Sequence, residues 1–413
     1  MKIPAHEATT AQLGALFPGV VSAVSRSRQV LLGRQTNGEL FCFDPFELYE
    51  LGVLTNPNML VIGQIGRGKS SFVKTFLFRQ AAFDRRIVVL DPKGEYGALA
   101  AALGVVPVKL APGGKSSLNP LASSKALSRA EDRRRRLHAA VVVSLAVLER
   151  ALSPGEHLAI EVALDQRLGD SEPSLAALVT SLLDPQGDDA RSARISVAEL
   201  RAEGRAVAFG IRRFITGELA GIFGGERTDS IDADGAALFV DLSAIYRSQA
   251  LGPAIACVQL ALEARLADVR MKQTVMVIDE AWAVLSNLGA ARFLQSSLKL
   301  ARSSGTANIV VAHRVSDLRS TGEADAVVTR LSEGLLADCE TVVSFAQAGN
   351  ELTTAAEALG LNQTEALLLT TMPRGSAIWH VGRERFLVEH RLGQYERNFV
   401  DTDRAMRDSA VLD

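Results

Sequence analysis

The sequence predicts an α/β protein with a mainly parallel sheet and an all-helical insertion, and three observations support this. Short apolar runs rich in β-branched residues recur without polar alternation, as expected of strands buried on both faces. Amphipathic helical stretches separate several of these runs, which favours a parallel sheet. One long interval has helical periodicity and no clear strand. The predicted core strands are residues 59–62, 87–90, 237–240, 275–278, 309–312 and 341–345.

Two hairpins are predicted to flank the core strands. Residues 30–33 and 40–43 lie on either side of Asn37-Gly38, a dipeptide typical of tight hairpin turns. Residues 377–381 and 386–390 form the second predicted hairpin, which closes the core.

The interval from about residue 121 to residue 228 is rich in Ala, Leu and Arg and is predicted to be helical. Within it, Ser153, Pro154 and Glu156 have the spacing of a helix start, with a cap, a first-turn proline and a capping box. The predicted organisation is a short N-terminal β segment, a first core part, the helical insertion, a second core part and a C-terminal tail. Their bounds are residues 1–50, 51–120, 121–228, 229–395 and 396–413.

The composition is that of a globular protein. Hydrophobic residues make up 47% of the 413 residues and charged residues 22%, with a net charge of only -2, so any contact with DNA must be local. The three cysteines, Cys42, Cys257 and Cys339, have no CxxC spacing and fit a reducing interior. The start of the chain lacks the order of a signal peptide, and the most apolar run, residues 139–148, is shorter than the roughly 20 residues that span a bilayer. We therefore expect a cytoplasmic protein without an integral membrane segment.

The strongest chemical signal is the motif G-x-x-x-x-G-K-[ST] at residues 63–70, placed between a predicted strand and a predicted helix. Glycines let several backbone N–H groups approach phosphate oxygens, and the helix N-terminus adds positive potential. Lys69 is expected to reach the β- and γ-phosphates of ATP, and the Ser70 hydroxyl to ligate Mg²⁺. A glycine-rich turn with a chance Lys-Ser pair is the disfavoured alternative. The predicted nucleotide-binding residues are Gly63, Gln64, Ile65, Gly66, Arg67, Gly68, Lys69, Ser70 and Ser71.

A second site is predicted where the strand at residues 275–278 delivers Asp279 and Glu280 at its carboxyl end, the edge at which open α/β sheets bind ligands. Asp279 is expected to hold the Mg²⁺ shell and Glu280 to act as general base on the attacking water. An Asp-Glu pair alone could equally begin an ordinary loop. Together with the P-loop, it predicts ATP hydrolysis.

Arg302 and His313 are the remaining candidates. Arg302 ends a predicted helix before Gly305, and the strand that follows presents His313 at its end. His313 could sense the γ-phosphate, and an exposed arginine could neutralise transition-state charge in a neighbouring subunit. The alternatives are a solvated helix-end arginine and a hydrogen-bonded core histidine.

Taken together, these motifs resemble the HerA/FtsK superfamily of motor ATPases, and within it the ATPases of type IV secretion and conjugative transfer. The resemblance covers residues from about 50 to 392. Beyond the P-loop its signatures are Leu90-Asp-Pro-Lys-Gly-Glu-Tyr96, Ser117-Leu-Asn-Pro-Leu121, Leu152-Ser-Pro-Gly-Glu156, Gly221-Ile-Phe-Gly-Gly225, Phe239-Val-Asp-Leu-Ser243, Ile278-Asp-Glu-Ala-Trp282, Arg302-x-x-Gly305 and Pro373-Arg-Gly-Ser-Ala-Ile-Trp379.

The resemblance implies a RecA-like P-loop NTPase core, a homo-hexamer with nucleotide between subunits, and Arg302 as an arginine finger acting in trans. It implies transfer or secretion proteins at the membrane as partners, with DNA as a further option, and a peripheral position on the inner face of the membrane. Two features depart from the family. His313 stands where the family usually has Gln, and only about fifty residues precede the core, where secretion members usually carry a large docking domain.

Three hypotheses for function follow. The leading one is an ATP-driven motor of a conjugative or type IV secretion machine, and the runner-up is a double-stranded DNA translocase. The third is a nucleotide-gated assembly module with little turnover.

Three further features have ordinary structural interpretations. Residues 133–136, four consecutive arginines, are expected to form a solvated helix face rather than a DNA contact. Asp91 and Glu95 could order their own loop or assist Mg²⁺. Trp282 and Trp379 are expected in the core.

Overall fold

The structure, a computed structural model, describes residues 29–124, 126–165, 173–217, 219–223, 235–267, 272–314 and 334–400. Numbered along the chain, the strands are β1 (Val30–Gln35), β2 (Leu40–Phe43), β3 (Met59–Ile62), β4 (Arg86–Asp91), β5 (Val108–Lys109), β6 (Ala237–Asp241), β7 (Thr274–Ile278), β8 (Thr306–Ala312), β9 (Thr341–Phe345), β10 (Ser376–Val381) and β11 (Glu384–His390). All six predicted core strands and both predicted hairpins are confirmed.

Fourteen α-helices have both of their bounds within the described ranges. They are α1 (Pro45–Glu50), α2 (Lys69–Ala81), α3 (Gly97–Ala102), α4 (Arg129–Leu148), α5 (Pro154–Asp165), α6 (Leu175–Leu183), α7 (Gly187–Ala193), α8 (Val197–Thr216), α9 (Leu251–Ala267), α10 (Ala281–Leu285), α11 (Leu288–Ser304), α12 (Leu352–Leu359), α13 (Gln363–Thr371) and α14 (Arg397–Val400). Among these helices, none is both long and apolar enough to cross a bilayer.

The strands form one 11-stranded sheet in the order β2-β1-β11-β10-β9-β3-β8-β7-β4-β6-β5. The strands from β9 to β5 are parallel to one another, and the two hairpins add antiparallel strands beyond β9. The sequence predicts that residues 309–312 lie between the strands ending at Ile62 and Ile278. This is confirmed, because β8 pairs with β3 on one side and with β7 on the other.

Both faces of the central strands are covered, which explains their uninterrupted apolar runs. Leu60 and Ile62 of β3 pack into the core that includes α4 to α9. Met59 and Val61 pack into the opposite core, which includes α2 and the hairpins. Successive residues of a strand point to opposite faces, so a strand buried on both sides has no solvent-facing position.

The helical insertion contributes α4 to α8, and the described residues between 121 and 223 contain no strand. The helix start at residue 153 is confirmed: the Glu156 backbone N–H donates to Ser153 Oγ at 3.1 Å, and the Ser153 N–H donates to the Glu156 carboxylate at 2.8 Å. The apolar run at residues 139–148 lies in α4, where Ala139 and Val143 are fully buried. Parts of four predicted segments lie outside the described residues, namely residues 1–28, 125, 166–172, 218, 224–234, 268–271, 315–333 and 401–413. The domain bounds therefore stay predictions.

One expectation about the core is wrong. Trp379 lies in the core as predicted, against the rings of Phe41, Phe43 and Phe72. Trp282, in contrast, is 37% exposed. Its indole N–H donates to the Glu280 carboxylate, so the ring stays at the sheet edge beside a polar partner.

Candidate functional site

The P-loop connects β3 to α2, and its glycines are required by its geometry. A Cβ on Gly63 would lie 2.5 Å from the Cβ of Phe345 at the end of β9, closer than such atoms can approach. Gly68 has a φ of 110° where it begins α2, a conformation that side chains disfavour. A distant part of the chain also contacts the loop: Gly375, directly before β10, donates its N–H to the Arg67 carbonyl at 2.9 Å. These glycines leave the concave side of the loop to backbone N–H groups, which fits the phosphates of a nucleotide.

Lys69 is the first residue of α2 and is buried, with 5% exposure. Its ammonium donates to the carbonyl of Gly63 and to that of Gln64, the latter at 3.1 Å. The charge therefore lies against the loop where phosphate oxygens are expected. Ile65, one of the predicted contact residues, is 72% exposed. Ser70 and Ser71 are half-buried on the first turn of α2.

Asp279 and Glu280 follow β7 at the same sheet edge. Asp279 accepts from the Tyr96 hydroxyl and from the Glu280 N–H, each at 2.9 Å. Burial raises the pKa of Asp279, and the neighbouring Glu280 raises it further. A bound cation would favour the ionised form, so the site fits the predicted Mg²⁺ ligand.

Glu280 has left-handed backbone geometry, with a φ of 54°, at the turn into α10. Its side chain is 4% exposed and accepts from three donors. His313 Nε2 lies 2.9 Å from Oε1, Lys93 Nζ lies 2.5 Å from the same oxygen, and the Trp282 N–H binds Oε2. Burial alone would raise the pKa of Glu280, but these donors outweigh it and lower the pKa to about 2.

His313 lies at the end of β8, between the P-loop strand and β7. The sequence predicts that this strand order brings His313 beside Lys69 and Glu280, and the contact with Glu280 is confirmed. A carboxylate only accepts, so the proton of the imidazole is on Nε2. Its buried Nδ1 has no hydrogen-bond partner among the described residues.

Arg302 lies near the amino-terminal ends of the parallel strands, whereas the P-loop lies at their carboxyl ends. It is exposed at the end of α11, and β8 then runs from Thr306 to Ala312 before reaching His313. At about 3.3 Å per residue, that strand separates Arg302 from its own P-loop edge by about 20 Å. The structure therefore does not bring Arg302 to the other candidate residues of the same chain.

Residues 91–96 contain functional candidates that the sequence reasoning did not identify. The Asp91 carboxylate accepts from the backbone N–H groups of Gly94, Glu95 and Tyr96, which supports the loop-ordering interpretation of Asp91. Lys93 and Tyr96 then contact Glu280 and Asp279, respectively. Their only sequence signal was their place in the motif at the end of β4.

The expected solvated face is only partly present in the arginine run, because Arg134 is exposed whereas Arg136 is buried, with 6% exposure. Arg133 pairs with Glu161 and Asp165 on α5, and Arg135 and Arg136 pair with Asp132. The contacts of Arg133 connect α4 to α5, whereas the pairs with Asp132 lie within α4.

Comparison with known proteins gives matches at the level of the domain and the fold. A family model described as an AAA-like domain matches residues 52–118, which include the P-loop. The chain is similar to the structure of VirB4 from Thermoanaerobacter pseudethanolicus, with a TM-score of 0.70, 21% identity, and coverage of 91% of this chain and 99% of that chain. No curated protein sequence matches it.

The chain is also similar to the bacterial conjugative coupling protein TrwB. The unbound form has a TM-score of 0.56 and 15% identity, covering 89% of this chain and 95% of that chain. The complex of TrwB with the non-hydrolysable ATP analogue ADPNP has a TM-score of 0.57 and 16% identity, covering 82% and 86%. These matches confirm the predicted P-loop ATPase fold.

Proposed function

We propose that this chain, which has the fold of VirB4 and TrwB, is an ATP-hydrolysing motor of a conjugative transfer or type IV secretion machine. The observation that supports it most is the placement of the P-loop, His313 and the Asp279-Glu280 pair on the adjacent strands β3, β8 and β7. In parallel strands these ends share one edge, where nucleotide and attacking water must meet.

Each residue of the site has a role that its position allows. Lys69 and the P-loop N–H groups bind the phosphates, while Ser70 and Asp279 hold Mg²⁺, which neutralises developing charge when bound. Glu280 accepts the proton of the attacking water, and His313 orients the Glu280 carboxylate through their 2.9 Å contact.

The position of Arg302 supports assembly as a homo-hexamer. An exposed arginine about 20 Å from its own P-loop edge can act on ATP only from a neighbouring subunit. Nucleotide between subunits would then make hydrolysis depend on the ring. The motor would be cytoplasmic, held peripherally at the inner face of the membrane by transfer or secretion proteins, and would move DNA or protein.

A second candidate is a nucleotide-gated assembly module with little turnover. It is favoured by the state of Glu280, whose carboxylate oxygens are engaged by Lys93, His313 and Trp282. A carboxylate that already accepts from three donors is a weaker base, so ATP hydrolysis would be slow until one donor leaves.

ATPase assays with and without double-stranded DNA, combined with mass measurement in ATP, test the proposal. We expect DNA-independent hydrolysis that is lost in Lys69→Ala, retained in the exposed-lysine control Lys115→Ala, and accompanied by a sixfold mass in ATP. Strong stimulation by DNA alone would instead indicate a translocase. ATP-driven assembly without measurable turnover would indicate the gated module.

A further inference from the structure

The loop at residues 91–96 connects the two acidic residues of the candidate site. Three backbone N–H groups of this loop donate to Asp91, at 2.8 to 3.1 Å, so the loop is closed on the end of β4. From this framework Tyr96, fully buried, reaches Asp279 with its hydroxyl. Lys93 reaches Glu280. One ordered segment therefore contacts both the predicted metal ligand Asp279 and the predicted general base Glu280.

The Lys93 ammonium contacts both the Glu280 carboxylate and the ring of Tyr246. Its ammonium lies 2.5 Å from Glu280 Oε1 and 5.8 Å from the centre of the Tyr246 ring. The Tyr246 ring in turn packs edge-on against Trp282, with centroids 6.4 Å apart, and Trp282 donates to Glu280. The ammonium, the two rings and the carboxylate form one connected cluster beside the P-loop edge.

A carboxylate in this cluster is poorly placed to accept a proton from water. Oε1 already accepts from Lys93 and His313, and Oε2 from Trp282. Of these contacts, the one with the ammonium is the most stabilising, because a charged donor binds a carboxylate more strongly than a neutral one. Release of Lys93 is therefore the step that most increases the capacity of Glu280 to act as base.

We propose that Lys93 is a positioning residue that holds Glu280 in a resting arrangement and limits ATP turnover while their ion pair is intact. The inference rests on the proposed role of Glu280 as general base. It assigns the loop at residues 91–96 a regulatory function: movement of this loop frees the carboxylate. Because the same loop holds Asp279 through Tyr96, one movement would act on both acidic residues.

The test is steady-state ATP hydrolysis by Lys93→Met, which keeps the length of the side chain and removes its charge. We expect kcat to rise about tenfold, the effect of losing one charged hydrogen bond, with KM for ATP within about twofold of wild type. Lys93→Arg should keep turnover low because it retains a cationic donor. Lys115→Met, an exposed lysine outside the cluster, is the matched control. Lys93→Met combined with Glu280→Gln should be inactive.

A spectroscopic measurement reports the position of the carboxylate independently of turnover. The chain has two tryptophans, so Trp379→Phe leaves Trp282 as the only emitter. In that background Lys93→Met should shift Trp282 emission, since its partner Glu280 moves. Lys93→Gln serves as a second neutral variant if Lys93→Met has a lowered melting temperature.

A stable neutral variant with kcat at or below wild type, or with unchanged Trp282 emission, would overturn the role of Lys93. Absence of ATPase activity in wild type and in every variant, together with the emission shift, would overturn the proposed hydrolysis and leave the positioning contact supported.

Discussion

Arg302→Ala should abolish most ATP turnover without weakening ATP binding, because we propose that the guanidinium acts on a neighbouring subunit. At about 20 Å and an effective dielectric constant of about 20, its charge would contribute only about 0.8 kcal/mol to its own site, before salt screening reduces this further. That corresponds to about fourfold in rate. Arginine fingers in direct contact contribute roughly 10³ to 10⁵. The two arrangements therefore differ by orders of magnitude in the expected loss.

The assay is ATP hydrolysis by assembled protein, with ATP affinity measured separately. We expect kcat to fall by about 10³ and affinity to change by less than about threefold. Arg292→Ala, an exposed arginine on the same helix, should behave like wild type. Mixing Arg302→Ala with Lys69→Ala should restore activity, because a ring can pair an intact P-loop with an intact arginine. A fourfold loss, or co-assembled mixtures that stay inactive, would refute action in trans.

Three further predictions concern the P-loop, the C-terminal helix and acid stability. Gly63→Ala should weaken ATP binding at least about tenfold and lower stability by about 2 kcal/mol, because its Cβ would meet Phe345 at 2.5 Å. Calorimetric titration measures the ATP affinity, and melting measures the stability. Arg79→Ala should cost about 3 kcal/mol of unfolding free energy, because it leaves the largely buried Glu396 carboxylate, now 2.6 Å from the guanidinium, without its cation. His390→Phe should flatten the loss of stability in acid: burial, and then the charge of Arg79, lower the pKa of His390 from 6.5 to about 4. As pH falls from about 6.5 to 4, the unfolded chain therefore gains a proton before the folded one. This lowers the free energy of unfolding of the wild type by up to about 3 kcal/mol, and the variant without His390 does not show this loss.

Each of these variants has a matched control in the chain. Gly187→Ala adds a Cβ where no atom lies within 4 Å. Arg391→Ala removes an ion pair whose arginine side chain is 60% exposed. His157→Phe alters an exposed histidine. Stability changes in a control as large as those in its partner would contradict the stated cause.

The sequence carried enough information for the sheet and for the residues at its carboxyl edge. Strands such as β3 and β4, buried on both faces, have apolar runs rich in β-branched residues and without polar alternation. Gly68 of the P-loop has a positive φ, a local reason for glycine that the motif shows, whereas the contact of Gly63 with Phe345 is tertiary and is not readable from the motif. His313 could be placed beside Glu280 because neighbouring parallel strands end together.

The contacts of Lys93 and Trp282 could not be read in the same way. Lys93 reaches Glu280 only because β4 and β7 are neighbours and because Asp91 folds the intervening loop back. Trp282 was expected in the core on the basis of its size. The left-handed turn at Glu280 begins α10 at once and leaves the ring at the sheet edge, a consequence of one backbone conformation that no pattern shows.

The central claim is that Glu280 acts after ATP has bound at Lys69, and parallel measurement of ATP affinity and turnover in two variants tests it most directly. Glu280→Gln should bind ATP within about threefold of wild type and lose at least about 100-fold in kcat, because a general base matters in the chemical step. Lys69→Ala should lose binding itself, since it removes the charge that meets the phosphates. Equal loss of ATP affinity in the two variants, or full turnover in Glu280→Gln, would contradict the account.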